Sequence, residues 1–182
     1  VEALFKDCIV LNKAPELYVP AATSAKELLH GCVSFNQPLT LDLVGALTME
    51  SVLERCISFN STLTLIHIDK VTNASKMLKA CAAFDQPLTL ELPEATTVES
   101  ALEDCAIFNS SFVVNGPKVT NASKLLKGAL LFNQPVTDTM LNMPLVENLE
   151  STFEACEALN EDIVLDNTSN TTNMKAMFKA CT

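Results

Sequence analysis

The chain has 182 residues, 48% hydrophobic and 19% charged, with a net charge of −10. That is apolar content enough for one continuous core, and no apolar run reaches the roughly 18–20 residues a membrane-spanning helix needs. An acidic balance argues against nucleic acid, whose phosphates select basic surfaces.

Cysteines set the phase of the sequence. Cys8, Cys32, Cys56, Cys81, Cys105, Cys156 and Cys181, with Ala129 in the place of an eighth, stand 24, 24, 25, 24, 24, 27 and 25 residues apart. A fixed short period means a solenoid whose units bury their apolar faces against one another. Val1 already sits in phase and Thr182 directly follows an anchor, so the expectation is a single domain over residues 1–182, cut from a longer array.

Within each unit the first expected element is a short helix. Met49, Val52, Leu53 and Cys56 fall at i, i+3, i+4 and i+7. The same spacing recurs at Ala74, Met77, Leu78 and Cys81, and at Val98, Ala101, Leu102 and Cys105, the pattern of one helical face. Three residues past the anchors stand Leu11, Phe35, Phe59, Phe84, Phe108, Phe132 and Leu159, read as stacked core spacers. One residue further come Asn12, Asn36, Asn60, Asp85, Asn109, Asn133 and Asn160, which reads as a buried polar ladder serving the turns.

A strand follows in each unit. Leu39-Thr40-Leu41-Asp42-Leu43, Leu63-Thr64-Leu65 and Leu88-Thr89-Leu90-Glu91-Leu92 alternate with period two, leucine inward. Pro20, Pro93 and Pro117 close strands. His67 falls where other units carry Leu43 or Leu92 and is expected to be a partly buried strand residue. The stretch Thr137-Asp138-Thr139-Met140-Leu141 places Asp138 inward and lengthens its interval, which predicts a bulge.

A slower period of two units overlies the first. Two residues before each anchor the chain reads Lys6, His30, Glu54, Lys79, Glu103, Lys127, Glu154 and Lys179. Stacked neighbours then bring opposite charges together, which fixes register more than it adds stability. His30, in this row, is expected to be solvated.

The run Cys32-Val33-Ser34-Phe35-Asn36-Gln37-Pro38-Leu39-Thr40-Leu41-Asp42-Leu43, with a following Leu-x-x-Cys, resembles the BspA-like class of leucine-rich repeats. Phe35 to Leu39 is also similar to repeats of mycoplasma surface lipoproteins. The resemblance covers essentially the whole chain. It implies a right-handed α/β solenoid of about seven or eight leucine-rich repeats, with one parallel sheet and short helices on the opposite face. It also implies a secreted or cell-surface protein of the adhesive kind.

Chemistry is sparse. The cysteines repeat at one inward position, which favours free buried thiols over a disulfide framework. No CxxC occurs, and His30 and His67 have no partners that make a zinc site or a catalytic set. No catalytic, cofactor-binding or metal-binding residue is therefore assigned, and the chain is expected not to be an enzyme. Of six Asn-x-Ser/Thr sites, Asn73 and Asn121 read as helix caps and Asn167 and Asn170 as the accessible acceptors.

The outward strand rows remain. One holds Glu16, Thr40, Thr64, Thr89, Val113, Thr137 and Val164; the other holds Tyr18, Asp42, Ile66, Glu91, Asn115, Thr139 and Asp166. Thr40, Asp42, Thr64, Ile66, Thr89, Glu91, Val113 and Asn115 are the expected partner-binding residues. The expected function is a non-enzymatic extracellular or cell-surface module that binds a protein partner. The alternatives are a stacking subunit or spacer in an assembly of copies, and an intracellular scaffold.

Overall fold

The computed structural model describes residues 1–16 and 21–181; the expected strand residues Tyr18 and Pro20 lie outside them. The chain is a parallel β-solenoid, and the described residues contain no helix. Seven short strands occur: β1 (Leu39–Asp42), β2 (Leu63–Ile66), β3 (Leu88–Glu91), β4 (Phe112–Asn115), β5 (Val136–Thr137), β6 (Leu141–Asn142) and β7 (Ile163–Val164). From Leu39 to Val164 they span about five turns of the coil, fewer than the seven or eight strand-bearing repeats expected. Single-residue parallel bridges, Ser24 to Thr48, Asn73, Thr97, Asn121, Asn148 and Asn173, run alongside.

The expected helices are replaced by overlapping turns, and the backbone explains why. Two places per coil, five residues and one residue before the anchor, have φ between 52° and 76°: Ser51 and Arg55, Lys76 and Ala80, Ser100 and Asp104, and their equivalents. A left-handed residue every four positions cannot belong to an α-helix. The donors instead divide by parity. Met49, Ser51, Leu53 and Arg55 give their N–H groups to the carbonyls of Asn73, Ser75, Met77 and Lys79 in the next coil, at 2.8–3.0 Å. Val52, Glu54 and Cys56 give theirs three residues back, to Met49, Ser51 and Leu53. The turn ending at Val52 has its third residue left-handed, as a type II turn requires, and so does the one ending at Cys56. Every donor is satisfied without an i→i−4 bond.

The burial pattern read from the sequence survives this change of element. Val98, Ala101, Leu102 and Cys105 are all fully buried, as are their equivalents in the neighbouring central coils. Phe35, Phe59, Phe84, Phe108 and Phe132 stack face to face at 5.7–6.2 Å, and the column passes through Phe153 to Phe178. The cysteines are free. Each thiol from Cys32 onward donates to a carbonyl of the preceding coil, as Cys56 Sγ does to Leu29 O at 3.1 Å. Burial pushes the thiols of Cys56 and Cys156 up to about 12 and those of Cys81 and Cys105 well above the ordinary range, so these sulfurs stay protonated and inert. Cys8, by contrast, is exposed.

The left-handed place just before the anchor also explains two glycines. A Cβ on Gly31 would overlap the Asp7 carboxylate one coil away, and a Cβ on Gly128 would overlap that of Asp104. Each aspartate is thus followed, one coil later, by the residue that leaves it room.

The asparagine ladder is continuous, but it lies at the surface rather than in the core. Asn12 Oδ1 accepts from Asn36 N, Asn36 from Asn60 N, Asn60 from Asp85 N, Asp85 from Asn109 N, Asn109 from Asn133 N and Asn133 from Asn160 N, at 2.7–2.9 Å. Only the side-chain oxygen is used for this link, which is why Asp85 fits. Gln37, Ser61, Gln86 and Gln134 add a second donor to the same oxygens. A second ladder went unread in the sequence. Ser24, Thr48, Asn73, Thr97, Asn121, Asn148 and Asn173 each accept the N–H two residues on. Asn73 and Asn121 therefore close Asx turns rather than cap helices.

The alternating charges pair at three of the five steps from Glu54 to Lys179, while Glu54–Lys79 and Glu103–Lys127 form no ion pair. Lys79 pairs with Glu103 at 2.8 Å, and Glu154 is held between Lys127 at 3.2 Å and Lys179 at 2.9 Å. His30 departs from expectation: its side chain is only 17% exposed, 3.7 Å from Asp7.

Two stability predictions result. Asn60→Asp keeps the acceptor that Asp85 N needs, whereas Asn60→Ala removes it. Chemical denaturation should show the alanine variant less stable by about 1–2 kcal/mol and the aspartate variant within about 0.5 kcal/mol of the parent; equal losses would remove the ladder's role. Separately, hydrogen bonds from Lys179, Ser151 and Lys127 hold the Glu154 carboxyl down to about 2, from an ordinary 4.5. A depressed carboxyl stabilises above its unfolded pKa, and that contribution disappears as pH falls from about 4.5 to about 2. Glu154→Gln should therefore cost roughly 1–2 kcal/mol at pH 7 and nothing near pH 2. A loss independent of pH would contradict the assignment.

Candidate functional site: the outer face of the sheets

The sequence predicts one continuous sheet, but the strands form three: β1–β2, β3–β4–β6 and β5–β7, all parallel. Two insertions cause the breaks. The coil from Cys56 to Cys81 is one residue longer than its predecessor, and the extra residue is His67. It has φ 55° and points to solvent with its side chain 58% exposed, while Ile68 takes the buried place of Leu43 and Leu92. His67 is thus a bulge residue, not a strand residue facing the core. Its Nδ1 lies 2.9 Å from Asp42 Oδ1. Beyond it β2 has no pairing with β3, and Leu63 and Leu65 are only half-buried where Leu39, Leu41, Leu88 and Leu90 are buried.

The second break is the expected bulge at Asp138. Residues 138–140 form a turn between β5 and β6 within one coil; β5 pairs forward with β7 and β6 pairs back with β4. Asp138 does not face the core. Half-buried, its carboxylate accepts from the backbone N–H of Asp166 and of Asn167. The register shifts in consequence, and Asn142, not Thr139, stands beside Asn115.

The residues expected to meet a partner do lie on the outer face. Thr40, Thr64, Ile66, Thr89 and Glu91 are exposed, and Asp42, Val113 and Asn115 are half-buried. Thr40 is level with Thr64 and Asp42 with Ile66; Thr89 is level with Val113 and Glu91 with Asn115. The break between β2 and β3 divides them into two groups. In the second group, Asn142 Nδ2 donates to Asn115 Oδ1 at 2.8 Å and Asn115 Nδ2 donates to Glu91 Oε2 at 2.7 Å. This relay fixes the carboxylate across three strands, and the sequence reading missed Asn142 because the insertion shifts the count by three.

Two clefts flank β3–β4. One, of about 500 Å³, opens at the β2–β3 break and is lined by Leu65, His67, Asp69, Thr89, Glu91 and Asn115, with two prolines at its edge. The other, of about 400 Å³, is lined by Glu91, Val113, Asn115, Asp138, Thr139 and Asn142. Carboxylates line both, and neither lining includes a lysine or arginine. Lys118, one strand end away, is held by Glu94 at 2.6 Å.

A different surface also went unread. One and two residues past the anchors, Ile9, Val10, Ile57, Ile107, Leu130 and Leu131 are exposed, so an apolar stripe follows the coil axis. Among the described residues no group of three or more His, Cys, Asp or Glu is arranged to hold a metal ion, and no helix is long and apolar enough to cross a membrane.

No curated protein and no solved structure matches the chain. One family model does, over residues 1–115 and again over 96–182, and the two matches together cover the chain. The chain belongs to the family described as "Mycoplasma protein of unknown function, DUF285", a description that leaves the function open.

Proposed function

We propose that the chain is a non-enzymatic binding module that engages a protein partner through the outer face of its sheets. The observation that carries this reading is the fixed outer array on β1–β4, in which Thr40 stands level with Thr64 on one sheet and Thr89 and Glu91 stand level with Val113 and Asn115 on the next. Sites built on strands of a stacked scaffold keep their geometry at little entropic cost on binding. The similarity of its Phe-Asn-Gln-Pro-Leu run at Phe35 to Leu39 to BspA-like and mycoplasma surface repeats supports an adhesive, cell-surface role. The inert thiols and the carboxylate-lined clefts agree with a surface that binds rather than reacts.

A second reading is favoured by the apolar stripe. Ile57, Ile107 and Leu131 are exposed on successive or near-successive coils, and such a stripe is the kind of surface that packs laterally in an assembly of copies.

The two readings separate in one experiment. Binding of the purified chain to immobilised extracellular-matrix proteins and to itself is measured by interferometry for the parent and four variants. Under the first reading Thr64→Arg and Glu91→Arg abolish partner binding and leave the thermal transition intact, while Ile57→Asp and Leu131→Asp change nothing. The reverse pattern, with self-association lost in the stripe variants alone, replaces adhesion by assembly.

A further inference from the structure

We propose that the break between β2 and β3 is a docking slot for a short, extended peptide segment rich in lysine or arginine. The inference rests on the binding-module reading and names the partner's chemistry.

Backbone geometry supplies the first argument. Leu39 N donates to Thr62 O and Leu43 N to Ile66 O, so the even-numbered residues of β2 face β1. Leu88 N donates to Ser111 O and Leu92 N to Asn115 O, so β3 turns its even-numbered residues to β4. In a parallel ladder the N–H and C=O of one residue point to the same side. The backbone groups of Leu63 and Leu65 therefore face those of Thr89 and Glu91, and no strand pairing joins them. Elsewhere these coils remain tightly stacked: Phe59 and Phe84 lie 5.7 Å apart, and Asn60 Oδ1 is 2.8 Å from Asp85 N. The opening is thus a wedge confined to the sheet, produced by the His67 insertion, with two unpaired strand edges at its walls. Such edges accept an added strand.

Charge supplies the second argument. Asp69 and Glu91 line the wedge, Asp42 stands at 2.9 Å from His67, and Glu91 is shared with the neighbouring cleft that holds Asp138. No lysine or arginine lines either cleft. An incoming strand that pairs with the edge groups projects alternate side chains outward along the sheet face, where these carboxylates lie. Cationic side chains at those positions are matched; anionic ones meet like charge.

The test uses the full 182-residue chain and two fluorescein-labelled probes, Lys-Val-Lys-Val-Lys-Val-amide and Glu-Val-Glu-Val-Glu-Val-amide, read by fluorescence polarisation. The lysine probe should bind at least tenfold more tightly than the glutamate probe. Deletion of His67 lets β2 and β3 close, and Thr89→Pro removes an edge N–H while keeping all the carboxylates. Each should weaken the lysine probe by roughly tenfold, about 1.4 kcal/mol. Glu91→Gln, an exposed change that leaves the backbone alone, should weaken it less and should make it less salt-sensitive. Circular dichroism checks that each variant folds, and where one backbone variant does not, the other and Glu91→Gln decide. The proposal is overturned if the lysine probe does not bind, if both probes bind alike, or if binding survives both folded backbone variants, which would mark diffuse attraction to an acidic surface. A chain that ignores the probe yet loses a matrix partner on Thr64→Arg overturns the slot and leaves the binding face standing.

Discussion

The routing of backbone N–H groups between coils is the constraint on which the rest of this molecule depends. On the turn face every second donor reaches forward to the next coil, from Ala25 to Thr48, from Leu53 to Met77, from Leu102 to Leu125 and from Phe153 to Met177. All these bonds run in one direction, so their peptide dipoles align along the solenoid axis as they do in a helix, though the bonds join different turns of the chain. The arrangement requires left-handed residues at two places per coil. Fourteen of them are not glycine, the fifteenth such residue being His67. Each costs on the order of 1 kcal/mol. Stacking offsets that cost, since the fixed spacing lets each side chain meet its own equivalent one coil away.

Three side-chain columns follow from that spacing. The phenylalanine stack fills the centre, the thiols satisfy a second lone pair on carbonyls already used locally, and the asparagine oxygens hold the next coil's N–H at the corner into the strand. The charge row adds register. The three columns are intact across the Cys56–Cys81 interval, where the sheet itself opens. The scaffold therefore tolerates a one-residue insertion on its strand side, where the His67 bulge and the wedge form without disturbing the core.

Much of this was legible from residues alone. The period, the inward positions, the aromatic stack, the free thiols, the corner ladder and the paired charges all follow from what recurs at a fixed offset. The helices did not follow, because i, i+3, i+4, i+7 describes which residues are buried and not which carbonyl each N–H chooses. Overlapping turns with left-handed residues at Ser51 and Arg55 bury the same set. The usual left-handed signals were scarce, with glycine at only Gly31 and Gly128 of the sixteen such places. A segment of some eight residues is also too short to hold a helix on propensity alone. The split sheet left a trace in the unequal intervals of 25 and 27, but the position of an extra residue cannot be read from its count. Equal counting from the anchors places His67 beside Leu43, where Ile68 is the true equivalent, and Thr139 in the row of Asn115, where Asn142 belongs. The apolar stripe was in plain view, yet Ile57 and Leu131 resemble core residues until the coil shows which way they face.

The most direct test of the donor routing is scalar coupling across hydrogen bonds, measured by NMR on labelled protein. The architecture predicts couplings from the amide nitrogen of Leu53 to the carbonyl carbon of Met77 and from Arg55 to Lys79, each one coil away. Couplings from Leu53 to Met49 and from Ala101 to Thr97, four residues back within the same unit, would instead mean helices. The stacked-turn account would then be wrong.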